Sequence, residues 1–213
     1  HCGVALPTPQ EAMRLQAHRR LCHIDSAPLS EILVDMLKHS VNLTAEGLGR
    51  AATRQSGGDY STLKTSARHM QEWAARQLNM PDAQFVDHSG LGDRARITAQ
   101  DMVCALVAAQ KLMPSFPALL RRIKPRDTRG NLDRNSTAVI HAKTGTLHFV
   151  SALAGYVSSG VDTPYAFAVF TQNLERRARL TIWQRESSKA ADYWNQRARY
   201  VQYVLLARWS KRG

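Results

Sequence analysis

The chain has 213 residues, 44% hydrophobic and 22% charged, with four Trp, and this composition excludes a disordered polymer. Its longest apolar-rich runs, 147–157 and 201–207, fall far short of the roughly 20 residues that a membrane-spanning helix needs. The net charge of +12 suits nucleic acid, an anionic membrane surface or an anionic polymer.

The basic residues are spread in pairs such as Arg19-Arg20, Arg121-Arg122 and Arg176-Arg177. No basic helix and no aromatic-interleaved basic motif appears, which argues against a nucleic-acid reader. Cys2, Cys22 and Cys104 have neither metal-type nor redox spacing, and Cys104 sits in an apolar run as a core residue would. No His/Cys/Asp/Glu cluster has metal-ligand spacing, so neither metal nor cofactor is expected.

Residues 1–25 read as a connector, with a short helix over Gln10 to Arg20. Ser26-Ala27-Pro28 opens a helix whose Leu29, Ile32, Leu33, Met36 and Leu37 share one face. His39-Ser40-Val41-Asn42 ends it, and a helical pattern resumes through Arg54. Ser61 to Leu78 reads as an amphipathic helix with Ser61 as its N-cap and Leu63, Ala67, Met70, Trp73, Ala74 and Leu78 inward. Gln84 to Asp87 suggests a short strand, and His88 to Asp93 a tight loop with two glycines. Thr98 is placed to cap a helix over Ala99 to Lys111. Phe116 to Ile123 reads as one more short helix, before a polar, turn-rich stretch over 124–137.

The texture then changes to strand. Thr137–Leu147, Val150–Ser158 and Tyr165–Gln172 are rich in β-branched, aromatic and small residues, with a hairpin-type connection over 158–164. Their near-continuous apolar character predicts a sheet covered on both faces. Ser187/Ser188 to Ser210 closes the chain as a helix, with Ala191, Trp194, Ala198, Val201, Val204, Leu205 and Trp209 as its packed stripe.

The first of these strands carries Lys143-Thr144-Gly145-Thr146. The triplet sets a cation, a hydroxyl and bare backbone side by side, and suits an anionic peptide laid along a strand. Two further signals precede it in order: Ser40-Val41-Asn42 after a helix, and Asp87-His88-Ser89-Gly90-Leu91 in a glycine loop. Together they resemble the penicillin-binding proteins. The likeness is strongest to the class C D-alanyl-D-alanine carboxypeptidase/endopeptidases, serine peptidase family S13, DacB-like. It runs from about residue 26 to the C-terminus, and Leu153-Ala154-Gly155-Tyr156 looks like the family's neighbouring strand.

The resemblance implies an α/β (α+β) fold of β-lactamase/transpeptidase type, an antiparallel sheet flanked by helices. It also implies an activated serine that attacks a terminal D-Ala-D-Ala peptide and forms an acyl-enzyme. In it, Ser40 would relay a proton near the leaving amine and Asn42 would hold the substrate amide and the catalytic lysine. Lys143 would meet the substrate carboxylate, with Thr144, Gly145 and Thr146 beside it and the Thr146 amide in the oxyanion hole. Asp87, Ser89 and Gly90 would complete the substrate-binding set, Ser89 as a turn residue rather than a catalyst. Peptidoglycan stem peptides and β-lactam antibiotics are the implied partners, with the periplasm as compartment and peripheral wall or membrane association.

The sequence departs from the family pattern. Val41 stands where Asp is usual, His88 where the first Gly of the loop is usual, and Gly92 to Arg96 lacks the usual polar run. No Ser-x-x-Lys precedes Ser40. Ser61-Thr62-Leu63-Lys64 has that spacing but follows the second motif by 21 residues and opens a helix, so it reads as cap and surface. The chain opens His1-Cys2-Gly3-Val4 without Met, and we expect residues 26–213 to be the C-terminal part of a penicillin-binding domain with three of its five strands. On that expectation the strand at 165–172 lacks a neighbour, and the isolated chain is prone to aggregate. The other readings are a non-catalytic relative that binds wall peptide and a basic nucleic-acid-binding protein.

Overall fold

The computed structural model describes residues 24–159, 164–181, 184 and 188–210. The helix expected over Gln10 to Arg20, with Cys2 and Cys22, lies outside them. A four-stranded antiparallel sheet, in the order β1-β2-β3-β4, organises the rest. Its strands are β1 (Arg121–Ile123), β2 (Val139–Leu147), β3 (Val150–Ser158) and β4 (Tyr165–Gln172). The helices are α1 (Leu29–His39), α2 (Asn42–Gln55), α3 (Leu63–Gln77), α4 (Ala99–Leu112), α5 (Phe116–Leu119), α6 (Leu174–Ala178) and α7 (Lys189–Trp209).

Both sheet faces are covered. On one, Ile140, Ala142, Leu153, Val157, Phe167 and Val169 pack with Leu206, Leu205 and Trp209 of α7. On the other, Ala154 and Tyr156 pack with Leu106 of α4 and Leu120, and the buried Tyr156 hydroxyl donates to the Leu106 carbonyl at 2.7 Å. Burial pushes the Tyr156 phenol up to about 12. Gly155 lies where β3 crosses β2 opposite Ala142. A Cβ there would fall 2.1 Å from the His141 carbonyl oxygen and 2.6 Å from the Ala142 Cα.

Several elements differ from the sequence reading. The helix expected over Phe116 to Ile123 stops at Leu119 after one turn, and Arg121–Ile123 becomes β1, pairing Arg122 with His141 and Ile123 with Ile140. The sheet therefore holds four described strands, not three. Long-range pairing decides a segment that Pro117 and two arginines leave ambiguous. Gln84 makes only an isolated bridge with Arg96 instead of a strand. Thr62, not Ser61, caps α3, in a reciprocal capping box with Thr65. On α3 the buried line runs through Ser66, Ala67 and Ala74, leaving Leu63 and Trp73 exposed.

The packed stripe of α7 also differs: Ala191, Asn195, Ala198, Gln202, Leu206 and Ala207 are buried, while Val201 is exposed. The two amides face inward because they have partners there. Asn195 Nδ2 donates to the Leu147 carbonyl at 3.0 Å, and Gln202 Nε2 to Ser151 Oγ at 3.1 Å. They fix α7 to both arms of the β2–β3 hairpin. At its turn Phe149 is held in the left-handed region (φ 59°), buried edge-on against Trp194. Beside β4 an open apolar groove of 470 Å³ runs past Val103, Tyr165, Phe167 and Trp209. Among the described residues no strand pairs with the outer edge of β4.

Candidate active site

Two elements far apart in sequence meet at one hydrogen bond. Lys143 Nζ donates to Ser40 Oγ at 2.5 Å and to the Thr144 carbonyl at 2.6 Å. The first bond joins residues 103 positions apart, the end of α1 to the middle of β2. Because Lys143 donates to Ser40 Oγ, the serine keeps its own O–H to donate elsewhere. Burial, and then the neighbouring Arg121 guanidinium, push the Lys143 ammonium below the usual lysine value.

Ser40 reaches this position through an uncommon backbone. It caps α1 in the left-handed conformation (φ 57°, ψ 49°), where glycine is the usual residue, and the following Val41 amide bonds back to the Met36 carbonyl. The left-handed turn ends α1, so that α2 starts at once with Asn42. Ser40→Gly is expected to exceed Ser40→Ala in stability by about 1 kcal/mol, since both lose the hydroxyl and only glycine relieves the left-handed cost. Thermal melts of the two variants measure the difference; equal stability would contradict the strain.

Along β2, Lys143 is half-buried while Thr144, Gly145 and Thr146 are exposed. Alternation puts Lys143 on the face of His141 and Thr144 and Thr146 on the other. Gly145 differs from Gly155: a Cβ at Gly145 would meet only the Ala152 Cβ, at 3.4 Å. The fold requires Gly155 and merely permits Gly145, which leaves bare, accessible backbone beside the lysine. The side chain of Asn42 is exposed and has no hydrogen-bond partner among the described residues.

The Asp87–Leu91 loop is built from carboxylates and amides. Asp87 accepts the Gly90 N–H at 2.7 Å and the Gly92 N–H at 2.6 Å, and Gly90 takes φ +77°. Ser89 Oγ accepts the Leu91 N–H at 3.4 Å. Glu46 of α2 accepts the His88 N–H at 3.1 Å and the Ser89 N–H at 3.0 Å. Burial acts to raise the Glu46 pKa, but the Ser89 hydroxyl, these two amides and the His88 charge outweigh it and hold the carboxyl below its usual value. His88 fills the place of the missing Gly49 side chain, and burial holds its imidazole below the usual histidine value against the pull of Glu46 and Asp87.

The structure thus brings Ser40 and Lys143 together, sets Asn42 two residues after Ser40 at the start of α2, and ties the Asp87–Leu91 loop to that helix. Ser61 precedes the α3 cap, with its N–H on Asp59, and Lys64 is exposed. His141 is half-buried on the Lys143 face, its Nδ1 without a partner among the described residues, and His148 sits in the β2–β3 turn. Among the described residues no group of three potential ligands forms a metal site. Two residues of the site fall outside the motif triplets. Arg121 reads from the sequence as part of a short helix. Glu46 was legible as the residue one turn after Asn42 on the same helix face.

The sequence matches the D-Ala-D-Ala carboxypeptidase 3 (S13) family over residues 8–196. Carboxypeptidase DacB of Mycolicibacterium smegmatis is 27% identical over 174 residues, 76% of this chain and 37% of the relative. The D-alanyl-D-alanine carboxypeptidase of an Actinomadura species is 31% identical over 179 residues, 79% of this chain and 33% of the relative. The chain therefore spans well under half the length of these curated relatives. Penicillin binding protein 4 (dacB) of Haemophilus influenzae, solved with a β-lactam, superposes with a TM-score of 0.57 at 20% identity, covering 85% of this chain and 42% of that one. The Bd0816 predatory endopeptidase of Bdellovibrio bacteriovorus gives 0.55 at 19% identity, covering 85% and 44%. At these identities the two structures share its fold.

Proposed function

The chain belongs to the D-Ala-D-Ala carboxypeptidase 3 (S13) family, and from that membership we propose that it forms the substrate wall of a serine-type carboxypeptidase/endopeptidase acting on peptidoglycan peptides. The observation that carries this reading is the 2.5 Å bond from Lys143 Nζ to Ser40 Oγ, flanked by accessible backbone at Gly145. A cation next to a hydroxyl, beside an open strand, matches a peptide that ends in a carboxylate.

In the reaction, a serine Oγ outside residues 1–213, paired with its own lysine, attacks the carbonyl of the penultimate D-Ala. The C–N bond breaks, terminal D-Ala leaves with a proton relayed through Ser40, and water then hydrolyses the ester. Lys143 holds the substrate carboxylate, Asn42 the substrate amide, and the Thr146 amide the developing oxyanion. Asp87, Ser89 and Gly90 supply the facing loop. Residues 26–213 serve as the C-terminal part of the domain. A β-lactam occupies the same wall as the peptide, and the site of action lies outside the cytoplasm, in the periplasm, where a +12 chain is drawn to an anionic wall.

A second reading has its own support: no Ser-x-x-Lys precedes Ser40 in these residues. It makes the chain a wall-peptide binder without turnover. Incubating the complete protein with a synthetic peptide ending in D-Ala-D-Ala separates the two. Release of D-Ala supports the peptidase. Peptide binding without release replaces it with the binder.

A further inference from the structure

α2 opens with Asn42, and Glu46 stands one turn on along the same face, about 5–6 Å away between Cβ atoms. Its two carboxylate oxygens each take one of two consecutive amides, Ser89 at 3.0 Å through Oε1 and His88 at 3.1 Å through Oε2. Asp87 takes the amides of Gly90 and Gly92 from within the loop. Four loop amides therefore end on carboxylates, and only those on Glu46 cross to another element.

The His88 ring adds a second tie. It lies over Gly49, where a Cβ would come within 2.1 Å of the ring, so α2 is bare at that point to admit it. His88 Nε2 bonds Ser66 Oγ at 2.8 Å, and Ser66 Oγ bonds Thr53 Oγ1 at 2.8 Å. Among the described residues the far half of the loop, exposed at Gly90 and Leu91, is tied only from within the loop, by Asp87 and the Ser89 hydroxyl. The Glu46 carboxylate and the ring together set where the loop stands relative to Asn42.

We propose that Glu46 is a positioning residue for the cleft: by holding the His88 and Ser89 amides it fixes the Asp87–Leu91 loop at a set distance from Asn42, and so presets the wall that faces the bound acyl donor. This rests on the function proposed above. Glu46 touches no reacting atom, so its loss acts on binding and not on the chemical step. A glutamine keeps the size and one accepting oxygen but turns an N–H₂ toward one loop amide.

The test uses the complete protein and a fluorescent penicillin, following acylation against concentration. In Glu46→Gln the acylation efficiency is expected to fall about tenfold, in the half-saturating concentration, while the limiting rate stays within about twofold. Glu46→Asp, a carboxylate on a shorter arm, should recover part of the loss. Hydrogen exchange at the His88 and Ser89 amides should quicken on the order of tenfold in Glu46→Gln, because a charge-assisted acceptor is lost. Glu72→Gln, in the exposed pair with Arg68, is the control and should change neither.

Faster exchange with unchanged acylation overturns the positioning role, and unchanged exchange overturns the clamp itself. A fall in limiting rate alone would make Glu46 part of the chemistry and also overturn the proposal. If Lys143→Ala leaves labelling intact, the proposed wall fails for its own reason. The exchange comparison then still decides whether Glu46 holds the loop.

Discussion

Lys143→Ala is expected to slow acylation of the complete protein by a penicillin by about a hundredfold or more, the scale on which losing one partner of a hydrogen-bonded charge contact is felt. On the proposed reading the substitution removes the cation for the ligand carboxylate, and it removes the donor that bonds Ser40 Oγ. It leaves β2 in place, because the strand is held by nine register pairs with β3 and by the Ile140 and Ala142 core, none of which involves the lysine side chain. Lys143→Arg does not restore the rate. The ammonium fits between Ser40 Oγ and the Thr144 carbonyl at 2.5 and 2.6 Å, and a planar guanidinium on a longer arm does not. Labelling time courses against penicillin concentration give the comparison. A loss under about threefold would remove Lys143 from the site, since it is smaller than an ordinary hydrogen-bond contribution.

Two glycines ten residues apart are expected to behave in opposite ways. Gly155→Ala should destabilise the protein by about 3 kcal/mol or more, near the top of the range for overpacking a core. Its Cβ would strike backbone, the His141 carbonyl oxygen at 2.1 Å and the Ala142 Cα at 2.6 Å, and backbone in mid-sheet cannot turn aside. Gly145→Ala should move stability by less than about 1 kcal/mol, as its Cβ meets only the Ala152 Cβ at 3.4 Å. Acylation should reverse the order once folding is allowed for: Gly145→Ala fills the open backbone next to Lys143 and should slow labelling about tenfold or more. Urea unfolding and labelling on the same two variants measure both. A Gly145→Ala protein as unstable as Gly155→Ala would show that this glycine serves the fold and not the ligand.

Local pattern made much of this molecule legible. The β-branched and small residues of 139–147, 150–158 and 165–172 predict three strands, and their lack of alternation predicts a sheet covered on both faces, as found. Thr98 caps α4 as expected, with Asp101 closing the box. The misses share a cause: the deciding partner lies far away in sequence. Arg121–Ile123 has no strand signal of its own and becomes β1 because β2 offers Ala142 to Ile140 for pairing. Asn195 and Gln202 stand outside the apolar stripe that the sequence marks, yet they are buried because Leu147 and Ser151 give them partners.

The candidate site divides in the same way. The order of Ser40-Val41-Asn42, the glycine loop and Lys143-Thr144-Gly145 pointed to the family, and the Ser40–Lys143 bond brings two of these motifs into contact. The left-handed conformation of Ser40 was hidden, because glycine is the usual sign of it and serine is not. The part played by His88 was hidden too. It departs from the family's loop pattern, and only the gap at Gly49 and the hydroxyl of Ser66 give its ring a place to go.

On the proposed reading, Ser40, Asn42 and the Lys143–Thr146 strand face a serine nucleophile that residues 1–213 do not supply. Intact mass of the complete protein after penicillin treatment, followed by peptide mapping of the adduct, locates that nucleophile. One covalent adduct is expected, on the serine of a Ser-x-x-Lys outside residues 1–213, formed about a hundredfold or more slowly in Lys143→Ala. An adduct on Ser61, or no adduct on a folded complete protein, would contradict that reading.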